Sequence, residues 1–302
     1  MSRPFQQLRF RDLPDRPRRA HPFAELEVRH VDVPSRDFGD VRVAYREVGE
    51  GPPLLLVHGL MTTGYSFRYL VEPLAHRRLV IPDLVGCGRS DKPDRAYPPE
   101  AVARFIADLQ RALDLWGVDV VGNSMGGYLS MILALDEPTS TRRLVNIHSP
   151  GLPLARLHAL HAAMSLPGSE ALLHRLIGLD PLRWAHGNVH YWDETLKSLE
   201  EAREYGEPLR DPAGSRAFAR YLRDTIAPAP MARFAARLRS GRFPVPLCLI
   251  YAERDPIVPP SVGRGLSAAI PEAEMIWLAE CSHFAQVDQP ERLAEQIDRF
   301  FS

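Results

Sequence analysis

A serine set between glycines, Gly122-Asn123-Ser124-Met125-Gly126, is the place where this sequence could do covalent chemistry. A serine hydroxyl becomes nucleophilic only when a base takes its proton, and the base needs an acid to hold it in one tautomer. Both partners stand downstream: Asp255 in Ala252-Glu253-Arg254-Asp255-Pro256, and His283 in Cys281-Ser282-His283-Phe284. Glu253 and Asp288 are rival acids. Glu253 stands nearer the preceding apolar run and Asp288 follows the histidine, so the position favours Asp255. Acyl transfer also needs donors aimed at a developing oxyanion. In His58-Gly59-Leu60-Met61 the backbone N–H of Leu60 can serve, paired with that of Met125, while His58 is expected to brace its loop.

These residues must be held by elements that bring distant parts of the chain together. The first apolar pattern alternates: Leu26 to Val28 and Val31 to Val33 read as a hairpin with a slip at Arg29-His30, and Val41, Val43 and Tyr45 resume after a turn over Ser35 to Asp40. From Leu54 the runs become continuous: Leu54–Val57, Leu79–Ile81, Val118–Val121, Leu144–Ile147, Leu247–Tyr251 and Met275–Leu278. Strands buried on both faces read this way, which predicts a mostly parallel sheet flanked by helices, an α/β architecture. Helices are predicted over Pro99–Trp116, Met125–Leu135 and Pro290–Phe301. Ser124, Asp255 and His283 then all follow carboxyl ends of parallel strands, where such sheets place their sites. The strand–turn–helix setting of Ser124 is that of a nucleophile elbow.

Between Pro150 and about Arg242 no strand pattern occurs. Amphipathic helical segments fill the interval: Leu154–Leu166, Ser169–Leu179, Glu194–Tyr205 and Ala213–Ile226. A crossover needs only on the order of a dozen residues, so the excess predicts a helical insertion. The expected organisation is a flexible N-terminal arm over 1–23, a core over 24–150 and 241–302, and a helical cap over 151–240 that covers the site and sets substrate choice. Trp184, Tyr191, Trp192, Phe218 and Tyr221 are the aromatics from which it could draw pocket walls.

The 302 residues are 45% hydrophobic and 25% charged, enough to bury a large core. A net charge of -1 gives no field to recruit nucleic acid or an anionic membrane. No apolar run approaches the ~18–20 residues that a membrane span needs. Three cysteines, Cys87, Cys248 and Cys281, make no disulfide framework and suggest a cytoplasmic protein. Gly86-Cys87-Gly88-Arg89-Ser90-Asp91 lacks the third glycine and the helix start of a dinucleotide site. His158, His161, His174, His186 and His190 crowd the insertion without a further ligand set, so neither metal nor cofactor is implied. The oligomeric state is open.

The series His58-Gly59, Asp83 to Ser90, Gly122 to Gly127, Asp255 and His283 resembles the α/β-hydrolase superfamily, and within it the capped branch of carboxylesterases, C–C bond hydrolases, epoxide hydrolases and haloalkane dehalogenases. The resemblance implies the α/β-hydrolase fold, with the order Ser, Asp, His of its triad. Epoxide hydrolases and dehalogenases carry aspartate at the nucleophile position, where this chain has Ser124. C–C hydrolases often carry Gly-Asn-Ser-Met-Gly-Gly, which matches, but commonly have tryptophan after the histidine, where this chain has Phe284. The expected activity is hydrolysis of a carboxylic ester of a small or medium apolar substrate. The alternatives are C–C cleavage of β-diketone-like substrates, and a ligand-binding receptor on a hydrolase scaffold.

Overall fold

The computed structural model describes residues 4–302. Eight strands form one sheet: β1 (Arg29–Ser35), β2 (Gly39–Val48), β3 (Pro53–Val57), β4 (Arg78–Pro82), β5 (Val118–Asn123), β6 (Thr141–Ile147), β7 (Leu247–Ala252) and β8 (Glu274–Leu278). Their spatial order is β1-β2-β4-β3-β5-β6-β7-β8. Pairs β1–β2 and β2–β4 are antiparallel and the rest are parallel. The continuous apolar runs are explained by two separate cores. Leu55 and Val57 of β3, and Leu247, Leu249 and Tyr251 of β7, enter one core. Their neighbours Leu54, Leu56, Cys248 and Ile250 enter the other. Successive strand residues point to opposite faces, so a strand wet on neither face has no polar phase.

Helices α1 (Pro99–Ala112), α2 (Met125–Asp136) and α9 (Pro260–Ala269) cover the first face, and α11 (Pro290–Phe301) the second. The short α10 (Ala285–Asp288) precedes α11. Six helices fill the insertion: α3 (Ala155–Met164), α4 (Ser169–Leu179), α5 (Pro181–Asn188), α6 (Leu199–Arg210), α7 (Pro212–Thr225) and α8 (Pro228–Arg239).

Several expected boundaries move, each for a local reason. The hairpin joins β1 to β2, with Ser35 paired to Gly39, and Leu26 to Val28 lie before it. The helix from Pro99 stops at Ala112, because Asp114 and Gly117 take left-handed conformations (φ 53° and 71°) that turn the chain into β5. The segment expected as one helix from Glu194 is cut, and α6 starts at Leu199, where the Ser198 hydroxyl caps the Glu201 N–H. Helices α5, α8 and α9, which are not among the expected segments, each begin with proline.

The N-terminal arm, from Pro4 on, lies along the insertion; its first three residues are outside the described residues. The N–H groups of Leu199 and Glu200, which have no partner inside α6, donate to the carbonyls of Pro14 (2.8 Å) and Asp15 (3.0 Å). The His186 Nε2 donates to the Leu8 carbonyl at 2.8 Å, and the Arg18 guanidinium to the Thr195 hydroxyl at 2.6 Å. Leu13 and Phe23 are buried. Beneath it, α6 is bound to the core by charge. The fully buried Arg68 donates to Glu201 at 2.7 Å, and the Tyr65 hydroxyl to Glu200 at 2.9 Å. Among the described residues, no helix is long and apolar enough to cross a membrane.

Candidate active site

Ser124 is the one residue between the end of β5 and the start of α2. Its backbone is held at φ 54°, ψ −120°, a region L-residues rarely adopt. Its N–H donates to the Ile147 carbonyl at 2.7 Å and its own carbonyl accepts from the Tyr128 N–H at 3.1 Å, so the turn is over-determined. The flanking glycines are required by packing. A Cβ on Gly122 would stand 2.6 Å from the Gly127 Cα, and one on Gly126 would collide with the Val57 carbonyl. The Met125 N–H opens α2 and, like every first-turn N–H, lacks a helical acceptor.

Asp255 lies three residues beyond β7 and His283 five beyond β8, and the two are brought together. The His283 Nδ1 stands 2.6 Å from the Asp255 Oδ2. The other oxygen, Oδ1, accepts from the N–H groups of Ile257 (2.6 Å) and Val258 (2.9 Å). Burial works to raise the Asp255 carboxyl. It is outweighed by the charge and hydrogen bond of His283 and by the backbone donors, which hold the group below the usual carboxylate range. A proton on Nδ1, shared with a carboxylate, leaves Nε2 as the basic nitrogen of the ring. The rival acids go elsewhere. Glu253 is exposed. Asp288 accepts from the Ser282 N–H at 2.7 Å and the Trp192 N–H at 3.0 Å, and burial pushes its carboxyl up to about 7.

His58 is tied up structurally. Its Nδ1 donates to the Gly59 carbonyl (2.8 Å) and its Nε2 accepts from the Leu84 N–H (3.0 Å), which fixes a neutral ring. The Asp83–Ser90 turn is likewise folded on itself, with Asp83 accepting from the N–H groups of Gly64 and Arg89 at 2.9 Å each.

One residue to which the sequence reading gave no role belongs to this constellation. His148, just past β6, is fully buried with φ 52°. Its Nδ1 donates to the His283 carbonyl at 3.1 Å, while its Nε2 has no hydrogen-bond partner among the described residues. Ligand-type atoms of His148, Asp255 and His283 lie within 4.8 Å of one another. Burial holds the His148 ring neutral, down to about 4, against the pull of Asp255. The signal in sequence was its place at a parallel-strand end, between the strands that carry Ser124 and Asp255.

Ser124, Met125, Leu60 and His283 line one cavity of about 250 Å³. Its opposite wall comes from the insertion: Leu154, Leu157 and Leu160 at α3, and Phe218, Leu222 and Ile226 at α7. Of the five aromatics considered for the pocket, Phe218 lines it. Trp184 packs against the cluster that holds Leu173, Ile177 and Leu209, and Trp192 meets Phe5 edge-on.

Residues 52–290 match the alpha/beta hydrolase fold family. The chain belongs to that family. This α/β hydrolase is 30% identical to 2-hydroxymuconate semialdehyde hydrolase of Pseudomonas putida, over 86% of its own length and 91% of the relative's. It is 29% identical to a haloalkane dehalogenase of Mycolicibacterium paratuberculosis, over 96% and 94%. Among solved structures it resembles a putative alpha/beta hydrolase from Nostoc sp. PCC 7120 with a TM-score of 0.78 and 21% identity, covering 93% of this chain and 99% of that one. The hydrolase fold is thus shared with proteins named for different chemistries, and what distinguishes them must lie in the site.

Proposed function

We propose that this α/β hydrolase is a serine hydrolase that cleaves a carboxylic ester of a small or medium apolar substrate. The observation that carries the reading is the His283–Asp255 bond of 2.6 Å, made beside a cavity that His283 shares with the strained Ser124. Ser124 acts as nucleophile, His283 as base and Asp255 as the acid that orients it. The Ser124 Oγ attacks the ester carbonyl while the His283 Nε2 takes its proton. The N–H groups of Leu60 and Met125 receive the oxyanion. His283 then returns the proton to the departing alcohol, leaving an acyl-Ser124 that water, deprotonated by the same nitrogen, hydrolyses. Residues 151–240 serve as the cap, and its leucines and Phe218 make the acyl pocket apolar. A neutral acyl chain suits such walls better than a charged one.

A second reading, C–C bond hydrolysis, is favoured by one observation: Arg156 lines the cavity and supplies a cation for an acidic substrate such as the muconate-derived one named for the Pseudomonas putida relative. Its guanidinium is engaged by the Ile257 carbonyl, which places the ester reading first. The test is covalent labelling by a fluorophosphonate together with turnover of aryl esters of graded acyl length. Ser124 should be labelled, and Ser124→Ala should abolish both labelling and turnover. Phe218→Ala should shift preference toward longer acyl chains. A folded wild type that stays unlabelled and turns over no ester refutes the proposal, and leaves a receptor role on the same scaffold.

A further inference from the structure

Helix α4 is apolar on two faces. Leu173 and Ile177 point inward, packing with Leu209 and Phe218. Leu172, Leu176 and Leu179 point outward and are 60%, 45% and 78% exposed. A surface helix with one core to cover normally has a polar outer face. With Leu160 and Leu166, these account for every large apolar side chain left exposed among the described residues except Trp116. An apolar patch concentrated within twenty residues marks an interaction surface rather than scatter. Three features say what covers it. Leu160 lines the cavity and is also exposed, so at α3 the cavity wall and the patch are the same side chain. The patch carries cations, Arg156 on α3 and Arg175 on α4, both exposed. The acids nearby are engaged. Glu170 accepts from Arg220, and Asp180 caps α5 through the Arg183 N–H and faces the Arg183 guanidinium.

We propose that the outer face of α3 and α4 docks onto an anionic lipid surface and takes water-insoluble esters from it into the cavity. The delivery step rests on the ester-hydrolase reading; the docking does not. The net charge of -1 gives the whole molecule no pull toward an anionic surface, so the attraction is local to this face. There, leucines flanked by arginines match an interface that is apolar within and negative at its rim. A second copy of this chain is the poorer occupant. A two-fold contact would bring two copies of the same positively charged face together, whereas an anionic surface complements it.

The test is flotation of the full chain with vesicles of phosphatidylglycerol and phosphatidylcholine, or of phosphatidylcholine alone. The chain should float with the anionic vesicles. The triple variant Leu172→Ser, Leu176→Ser, Leu179→Ser should bind at least ~10-fold more weakly, and Arg175→Glu roughly 5-fold more weakly. Because those leucines face outward, the triple variant should hydrolyse a short water-soluble aryl ester within ~2-fold of wild type. Leu179→Ser alone serves if the triple variant does not fold. Flotation repeated on Ser124→Ala reads docking without catalysis, so absence of ester turnover would sink the ester reading and leave docking standing. A chain that never floats, flotation indifferent to these substitutions, or a dimer that the leucine substitutions dissociate would each overturn the docking proposal.

Discussion

At the scale of single residues, the proposed chemistry depends on one buried hydrogen bond. Replacing Asp255 with asparagine removes the charge that orients His283 while keeping shape. kcat should fall by at least ~10²-fold with little change in KM, and Glu253→Gln should keep wild-type rates. If the two variants behave the other way round, the acid has been misassigned. His148 leads to a different measurement. Its ring stays neutral in the fold until about pH 4, whereas an unfolded chain takes up that proton near 6.5. Between those values the unfolded state binds more protons, so this group removes stability as pH falls, about 3 kcal/mol in all. Asp288, raised by burial to about 7, acts with the opposite sign, favouring the fold as pH drops through the same region. Urea melts at pH 7 and pH 4.5 should therefore show His148→Asn losing less stability on acidification than wild type. Equal losses would mean that His148 is not the neutral buried group described. Ser124, Asp255 and His283 were readable from sequence because each follows a buried apolar run. His148 follows one too, but its part depends on a carbonyl 135 residues away, which no local pattern reports.

Among the elements, the elbow is the least tolerant joint. The β5–α2 turn brings the start of α2 against the Val57 carbonyl, with no room for a Cβ on Gly126. Gly126→Ala should destabilise the protein by about 1–3 kcal/mol or more in denaturant melts, and should slow fluorophosphonate labelling as the turn shifts. A variant with wild-type stability would show that the approach is looser than described. The core strands were recoverable from sequence because burial on both faces leaves a contiguous apolar signature. Helices α5 and α9 were not, since their apolar residues are few; α8 does carry Met231, Phe234, Ala235 and Leu238 at helical spacing, a pattern that went unread beside its two prolines. In Pro260–Ala269 two glycines further dilute the pattern. What announces them is proline at the first turn, preceded by Asp180 in one case and by Pro259 in another. Those prolines read equally well as loop breakers until the structure shows which side of each is helical.

For the whole molecule, the question is what holds insertion to core. Arg68 and Glu201 lie 133 residues apart and are both buried. Glu201→Ala would strand the Arg68 guanidinium away from water and should cost about 3–5 kcal/mol. A charge-free replacement of both partners should cost much less, a contrast that thermal melts resolve. The missing strands led to the expectation of a helical insertion; residues at α3 and α7 line the cavity that Ser124 and His283 also line. The sequence did not forecast the Arg68–Glu201 pair, because an arginine and a glutamate at that separation look like two solvated charges.

The arm adds a matter of timing. Leu8 meets His186 across 178 residues, and Arg18 meets Thr195 across 177. During synthesis at ~5–20 residues per second, the arm waits roughly 10–40 s before its docking surface exists. In that interval Phe5 and Phe10, which pack against Trp192 and His186, are without their partners. The arm is thus made well before the surface it settles on, and the growing chain carries an unclaimed apolar strip while some 178 further residues are added.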